Sequence, residues 1–160
     1  MNIFDTLRQD HAGVRNLVEE LIAGENWPEA FYDLKLALVA HNRAEETVFY
    51  DILNGIPNRE ELADIKTDEH HMAEEILQDL EEMSPQDHDW PTTLALLQSQ
   101  IEAHVAEEET FVFALIGEHL SEDEADELGE RFERARSEIV QTSDYLPRAN
   151  LNFNRVQRDL

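Results

Sequence analysis

The chain alternates between long segments, in which apolar residues recur every three or four positions, and short segments that carry most of its glycines and prolines. That spacing is the period of an amphipathic α-helix, and the breaks fall where turns are expected. The pattern predicts an all-α protein. Its helices are predicted to span about residues 2–23, 28–54, 58–83, 91–117 and 121–141.

Polar residues at the predicted helix starts support these bounds. Asn2 and Asn58 are suited to cap the first and third helices, and Ser121 begins a capping box for the fifth. Four long helices joined by short loops favour antiparallel neighbours. We therefore predict an up-down-up-down four-helix bundle with a short C-terminal accessory helix in residues 1–141, followed by an extended tail over residues 142–160.

One segment occurs twice, as His41-Asn-Arg-Ala-Glu45-Glu46-Thr47 on the second helix and as His104-Val-Ala-Glu-Glu108-Glu109-Thr110 on the fourth. In each copy a histidine precedes a glutamate by four residues, so both side chains lie on one helix face. Because that face is otherwise apolar, each pair is predicted to point into the core. The face comprises Phe31, Leu34, Leu38, His41, Glu45, Val48 and Ile52 in the second helix, and Leu94, Leu97, Ile101, His104, Glu108, Phe111 and Leu115 in the fourth.

The first and third helices each add one inward histidine. His11 and His70 lie on apolar stripes, and the segments 10–21 and 69–80 that contain them align without gaps. The chain therefore contains an internal duplication. Comparable numbers of residues separate the two histidines of each half, so an antiparallel bundle places all four at similar depth.

Two buried carboxylates close together are unfavourable unless a cation neutralises them. The inward set of four imidazoles and two carboxylates exceeds what a tetrahedral zinc site needs, and it suits two metal ions of higher coordination number. Thiolate ligands are excluded because the chain has no cysteine. With only nitrogen and oxygen ligands, we expect iron first, manganese second and zinc third.

The other histidines and glutamates have simpler interpretations. We expect His88 and His119 to be exposed, the first in a loop and the second at a helix end. His71 lies about 100° from the apolar stripe of its helix, so His70 suits the inward role better. The remaining glutamates near the histidines are expected to form a solvated face, namely Glu46, Glu74, Glu75, Glu107 and Glu109.

The chain carries 37 acidic and 12 basic residues, which give a formal net charge of −25. Such a charge opposes binding to nucleic acid and to anionic membrane surfaces. There is no apolar run of about 18 residues and no basic N-terminus followed by an apolar segment. We therefore expect a cytoplasmic protein without nucleic-acid or membrane partners. No pattern in the sequence indicates a large organic substrate.

The Asp-His and Glu-His pairs at His11 and His70, together with the His-x-x-x-Glu-Glu segments at His41 and His104, resemble the hemerythrin-like domains, also called HHE cation-binding domains. The resemblance covers most of residues 3–117. It implies a four-helix bundle that holds two non-haem irons, with both glutamates bridging and an oxo or hydroxo group between the irons. The ligands that it implies are His11, His41, Glu45, His70, His104 and Glu108.

The chain departs from the oxygen-carrying members of this group. Those carriers have His-x-x-x-His on the third helix, whereas the fourth residue after His70 is Glu74 here, and they have an aspartate one residue beyond the position of Glu108. The extra histidine makes the two irons of the carriers unequal. Its absence predicts a symmetric centre and argues against reversible oxygen carriage, unless His71 or Glu74 supplies an additional ligand.

Three functions are compatible with these features. The leading hypothesis is a di-iron protein that binds, senses or decomposes oxygen, peroxide or nitric oxide, or that senses iron. The second is a structural or adaptor bundle that the metal only stabilises, without turnover. The third is histidine phosphotransfer, which needs one exposed, reactive histidine, and the four candidate histidines all lie on buried stripes.

Overall fold

The computed structural model describes residues 1–145, and every regular element in that part of the chain is helical. The predicted all-α class is confirmed. The elements are α1 (Ile3–Ile22), α2 (Glu29–Val48), α3 (Asp51–Asn54), α4 (Glu60–Glu81), α5 (Trp90–Glu107), a π-helical turn (Glu108–Val112), α6 (Phe113–Gly117) and α7 (Glu122–Thr142). The extended tail was predicted over residues 142–160, and its part beyond Tyr145 lies outside the described residues.

Two of the three predicted helix caps are present. The side chain of Asn2 accepts a hydrogen bond of 2.9 Å from the backbone amide of Asp5, and Ser121 forms the predicted capping box with Glu124. The predicted N-cap residue of α4 was wrong by one position. Asn58 has a positive φ of 66° and lies in the loop, and the N-cap position belongs to Arg59, whose side chain makes no capping bond.

The four long helices form an antiparallel ring in the order α1, α2, α4, α5. Phe4 of α1 packs against Phe113 of α6, which continues α5 beyond the π-helical turn, while Arg15 of α1 pairs with Glu102 of α5. Residue numbers therefore rise on one helix as they fall on the other. The α1–α2, α2–α4 and α4–α5 interfaces show the same reversal. This is the predicted up-down-up-down arrangement.

Helix α7 packs across α1 and α2 on the outside of the ring. With 21 residues it is as long as the bundle helices, so the accessory helix is not short. Its buried face includes Leu128 and Phe132, which join the core. Gly129 lies directly against the N-terminal backbone, where an added Cβ would overlap the carbonyl of Met1 and lie 3.1 Å from the amide of Ile3.

Replacing Gly129 by alanine is expected to destabilise the protein by about 1–3 kcal/mol, because the backbone of residues 1–3 would have to move away from α7. Gly13→Ala is the matched control, since a Cβ at this helical position meets nothing within 4 Å. It should raise stability by about 0.5–1 kcal/mol through helix propensity. Thermal unfolding of both variants checks the prediction, which an equal or higher midpoint for Gly129→Ala would refute.

The apolar core is divided into two clusters by a buried polar layer. One cluster fills the end of the bundle near the α1–α2 loop and includes Leu21, Phe31 and Trp90. The other fills the opposite end, where Phe49 and Phe113 meet Phe132 of α7. The layer between them comprises His11, His41, Glu45, His70, His104 and Glu108, none of which is more than 9% exposed.

The fourth helix buries a different set of residues after Glu108 than the regular period predicts. Phe111, predicted to be in the core, is 46% exposed, and Leu115 is only partly buried. Val112 and Ile116 are fully buried instead. The cause is the π-helical turn, in which the amide of Phe113 bonds the carbonyl of Glu108, five residues earlier, and the extra residue rotates the remainder of the helix.

The second helix shows the same departure at the equivalent place. The amide of Tyr50 donates to the carbonyl of Glu45, also five residues earlier, at 3.0 Å. As a result Leu53 is fully buried, whereas the predicted Ile52 is only partly buried. Both copies of the repeated segment are therefore widened just after their glutamate, a type of distortion that is frequent at functional sites.

Candidate metal centre

The four histidines of the polar layer direct their Nε2 atoms toward one another. His11 and His41 form one pair, with ring centroids 4.9 Å apart. His70 and His104 form the other, with their Nε2 atoms separated by 3.2 Å. The spacing predicted from the sequence thus places one histidine from each long helix in a single layer.

Both glutamates contact both histidine pairs. One oxygen of Glu45 lies 3.2 Å from Nε2 of His41 and 3.1 Å from Nε2 of His70. Glu108 instead uses both oxygens, since one lies 3.2 Å from Nε2 of His11 and the other lies 3.2 Å from Nε2 of His104. Each carboxylate is fully buried and is placed where it could bridge two cations.

Several inward atoms of this layer make no well-aligned hydrogen bond within residues 1–145, although Nε2 of His11 lies 3.2 Å from Glu108 and Nε2 of His41 lies 3.2 Å from Glu45. These atoms are Nε2 of His11, Nε2 of His41, Oε1 of Glu45 and Oε1 of Glu108. Buried polar atoms are rarely left in this state, and unpaired buried charge is more costly still. Bound cations would satisfy all four atoms, because imidazole nitrogen and carboxylate oxygen are both metal ligands.

The inward ligand atoms are close enough to share ions. Those of His11, His41 and Glu45 lie within 4.8 Å of one another, and so do those of Glu45, His70 and His104. Glu45 belongs to both groups. The donor set and its geometry therefore fit two adjacent metal ions with a shared carboxylate.

The outer nitrogen of every histidine in the layer faces a carboxylate. Nδ1 lies 2.8–3.1 Å from its partner in three cases and 3.5 Å in the fourth. A carboxylate that accepts a hydrogen bond from Nδ1–H keeps the proton on Nδ1 and leaves the Nε2 lone pair for a metal, an arrangement common around metal-ligating histidines. The pairs are His11 with Glu109, His41 with Asp10, His70 with Glu46, and His104 with Glu69.

Two of these partners correct the sequence analysis. Glu46 and Glu109, expected on a solvated face, are 19% and 24% exposed and bond histidines on neighbouring helices. Glu107, placed in the same group, is 52% exposed as expected, and it pairs with the buried Lys66 at 3.0 Å. The sequence did contain a signal for these partners, namely the Glu-Glu pair that occurs in both copies of the repeated segment. The second glutamate of each pair contacts Nδ1 of a histidine.

Cations hold three of the outer carboxylates in place. Arg43 pairs with Glu46 at 3.2 Å, and Lys66 with Glu69 at 2.8 Å. Asp10 is bound by Arg136 of α7, and this ion pair connects the accessory helix to His41.

The charges around these carboxylates favour their ionised form. Burial raises the pKa of Asp10, but its bond to His41 and the charge of Arg136 outweigh burial and leave the pKa below the ordinary value. The hydrogen bond to His11 lowers the pKa of Glu109. Ionised carboxylates accept hydrogen bonds from Nδ1–H, so these groups keep the proton on Nδ1 and orient Nε2 toward the interior of the layer.

Tyr50 is a site residue that the sequence analysis missed. Its hydroxyl lies 3.3 Å from Nε2 of both His70 and His104, and it hydrogen-bonds a carboxylate oxygen of Glu45 at 3.2 Å and one of Glu108. Burial, together with those two carboxylates, raises its pKa well above the ordinary value. Tyr50 is therefore a neutral hydrogen-bond donor at the centre of the layer.

The two suggested additional ligands lie elsewhere. His71 is exposed on α4. Glu74 forms a 2.8 Å ion pair with Arg43 and does not reach the inward cluster. The structure thus gives neither residue a place beside the four Nε2 atoms.

Residues 2–116 match the family model for the hemerythrin HHE cation-binding domain. The chain belongs to this family. The resemblance drawn from the His and Glu spacing is confirmed, and the buried layer contains His and Glu groups that could hold a metal ion.

The HHE domain is also similar to a DNA nickase from Nostoc sp. strain PCC 7120, with 28% identity over 144 residues. The match covers 88% of this chain but 41% of the nickase, so the chain spans less than half the length of that curated relative. No solved structure matches the chain. Within residues 1–145, no helix is long and apolar enough to cross a membrane.

A cavity of about 20 Å³ adjoins the histidine layer of the HHE domain. Leu38 and Ile101 line it, one turn before His41 and His104, whereas Glu45 and Glu108 lie one turn after them. The cavity is therefore on the side of the histidines opposite to the carboxylates. Val14, Ala73 and Val105 complete its apolar lining, and Asn42, Glu69 and Gln100 add polar side chains to the wall. Its volume suits a molecule of two or three heavy atoms.

The surroundings of the two histidine pairs differ, although the six inward residues follow the duplication. Tyr50, nine residues after His41, has as its counterpart Phe113, nine residues after His104. Phe113 stacks beside His11 with ring centroids 6.4 Å apart. Phe132 of α7 lies against His41 at 5.6 Å. The expected symmetry thus extends to the inward residues and not to their neighbours.

Proposed function

We propose that this HHE domain binds two iron ions through His11, His41, Glu45, His70, His104 and Glu108, and that it uses them to bind, sense or decompose a small molecule. The observation that carries the proposal is the convergence of four Nε2 atoms on two buried carboxylates, with a further carboxylate 2.8–3.5 Å from every Nδ1 atom. Imidazole and carboxylate ligands without thiolate favour iron, with manganese and zinc as alternatives.

The protein residues in this proposal have separate tasks. Glu45 and Glu108 would hold both ions, because each already contacts both histidine pairs. Tyr50 would keep a hydrogen-bond donor among the ligand atoms near His70 and His104. Bound iron would supply the affinity and redox reactivity toward oxygen, peroxide or nitric oxide that side chains lack.

The cavity supports a small reactant. Its volume of about 20 Å³ and its apolar lining suit oxygen, nitric oxide or peroxide, and no large organic substrate would fit. A bundle that the metal only stabilises would not need such a space. The burial of His11, His41, His70 and His104 counts against phosphotransfer, which requires an accessible histidine.

We do not propose that this chain nicks DNA, the activity in the name of the Nostoc relative. The net charge of −25 opposes contact with a DNA backbone, and the ligand-type residues are buried away from any polymer. We propose that the segment shared with the nickase is its cation-binding bundle and that this chain has no nucleic-acid partner.

An absorption experiment tests the proposed function. Iron-loaded protein is expected to show a ligand-to-iron charge-transfer band that differs between air and nitrogen, and nitric oxide or peroxide should change it further. A zinc-loaded sample is the control, because zinc has no such band. Spectra of the iron form that stay the same under all four conditions would instead favour a structural role for the metal.

A further inference from the structure

A buried amide lines the small cavity without a hydrogen-bond partner. Asn42 is 1% exposed, and its Nδ2 atom makes no hydrogen bond to any residue that the structure describes. Buried amide groups are nearly always paired, since an unpaired donor destabilises the fold. Asn42 lines the cavity together with His41 and His70, so the cavity is where an acceptor for this donor could lie.

The neighbours of Asn42 on α2 show which half of the centre it faces. Lys35, seven residues earlier, pairs with Glu81 of α4, and Glu46, four residues later, bonds His70 of α4. Residues at these intervals share a helix face. Asn42 therefore lies at the α2–α4 interface, on the side of the His70–His104 pair.

The opposite wall of the cavity is apolar at the equivalent position. In the repeated segment, Asn42 corresponds to Val105, which is 3% exposed and also lines the cavity. Val105 lies on the face of α5 that meets α1, because Glu109, four residues later, bonds His11. At these two equivalent positions the cavity thus has a hydrogen-bond donor on one wall and a methyl-bearing side chain on the other, and Glu69 and Gln100 are further polar lining residues.

The difference between Asn42 and Val105 and the difference between Tyr50 and Phe113 favour the same half of the centre, because the polar residue of each pair lies on the His70–His104 side. Tyr50 contacts His70 and His104 from the carboxylate side, and Asn42 approaches the same half from the cavity side. The His11–His41 half has Phe113 and Val105 in the corresponding places. The two halves therefore offer a small molecule different polar contacts.

We propose that Asn42 selects the ligand of the centre by donating a hydrogen bond from Nδ2 to a small molecule with a terminal oxygen or nitrogen acceptor, bound in the cavity at the His70–His104 half. The inference rests on the proposed iron centre and adds to it the position and chemical class of the ligand. Ligands that carry negative charge on the terminal atom gain most from such a donor.

Azide is a suitable probe because it is small, anionic and has terminal nitrogen acceptors. Its dissociation constant is measured on the iron-loaded, full-length protein by absorption titration. Asn42→Val removes the donor and copies the opposite wall, and it is expected to weaken azide binding about tenfold or more. Asn42→Thr has the same shape as Val but keeps a hydroxyl donor, and it should retain affinity within roughly threefold of the unaltered protein.

The matched control is Asn16→Val, which makes the same substitution on the exposed face of α1, away from the cavity. It is expected to alter the azide dissociation constant less than about twofold. If Asn42→Val binds azide as tightly as the unaltered protein at equal iron content, the role of Asn42 is overturned. Equal weakening by Asn42→Val and Asn42→Thr would also overturn it, because shape and not the donor would then be responsible.

A second measurement does not depend on how the variants fold. In the unaltered iron-loaded protein, the stretching frequency of bound azide is expected to differ between H₂O and D₂O, since the amide protons exchange. An unchanged frequency would contradict the hydrogen bond. Failure of the unaltered protein to bind iron would contradict the proposed centre, and equal azide affinities at full iron content would contradict only the role of Asn42.

Discussion

Replacing Glu108 by alanine is expected to reduce the iron content of the protein from two ions per chain to none. The carboxylate of Glu108 contacts His11 in one half of the centre and His104 in the other. Its loss removes a ligand from both ions at once and leaves a cavity in the buried layer. A single substitution at this position should therefore affect the whole centre and not half of it.

Iron content after reconstitution and desalting, measured by mass spectrometry against protein concentration, tests this result. Glu75→Ala is the matched control, because it removes a glutamate of the same charge from the exposed surface of α4. The control is expected to keep both ions. Full iron loading of Glu108→Ala would show that Glu108 is not a ligand, and loss of one ion would show that it does not bridge.

The metal-free protein is expected to lose stability as the pH rises from about 6.5 to about 10. Burial lowers the pKa of His41, but the charge of Glu45 and the hydrogen bond to Asp10 outweigh burial and raise that pKa to about 10. Burial also lowers the pKa of His104, whereas Glu108 raises it to about 9. In the unfolded chain the same groups have a pKa near 6.5.

The sign of the pH dependence follows from these directions. A folded-state pKa above the unfolded value means that the folded protein holds its protons more tightly. The resulting contribution to the free energy of unfolding is complete below pH 6.5, and it disappears as the pH passes 9 and then 10. The protons on Nε2 neutralise the buried carboxylates when no metal does.

Urea unfolding of the metal-free protein at a series of pH values, with a chelator present, measures this effect. Iron-loaded protein should show a weaker pH dependence, since the metal takes the place of the protons. In His41→Gln, which cannot titrate, the slope of the metal-free curve should become shallower. A free energy of unfolding that is constant or rises between pH 6.5 and 9 in the unaltered metal-free protein would refute the prediction.

The sequence was sufficient to bring the six inward residues together. A four-residue step joins His41 to Glu45 and His104 to Glu108 on one face of a regular helix, and that step lies before the distorted turns. His70 was separable from His71 because α4 is regular throughout its length. Local periodicity decides such positions, so they do not depend on details of packing.

Periodicity failed where the backbone departs from the α-helix. Tyr50 is nine residues after His41, which in a regular helix places it on the opposite face. The hydrogen bond from its amide to the carbonyl of Glu45 adds a residue to that turn and brings Tyr50 back to the buried side. The same distortion exposes Phe111 on the other helix. No composition or spacing in the sequence marks such a turn.

The outer carboxylates were missed for a different reason. Glu46 and Glu109 lie about 100° from the inward glutamates, a position that is solvated on an isolated helix and covered when a neighbouring helix packs beside it. Which flank is covered depends on the order of the helices around the ring. In this bundle α4 covers the flank of Glu46, and α1 covers that of Glu109.

The asymmetry of the centre comes from single differences between the two copies of the segment. Asn42 and Tyr50 in the first copy correspond to Val105 and Phe113 in the second. The alignment contains these differences, but their importance depends on a cavity and a hydrogen-bond cluster that only the packed bundle creates. Symmetric ligands with asymmetric neighbours would allow the two ions to have different roles.

The most direct test of the proposed centre is an anomalous difference map from a crystal of the iron-loaded protein, recorded at the iron absorption edge. Two peaks are expected in the buried layer, one near Nε2 of His11 and His41 and the other near Nε2 of His70 and His104, each about 2.0–2.3 Å from its nitrogen ligands. Both peaks should lie within bonding distance of Glu45 and Glu108. A single peak, or peaks away from these atoms, would contradict the two-ion centre.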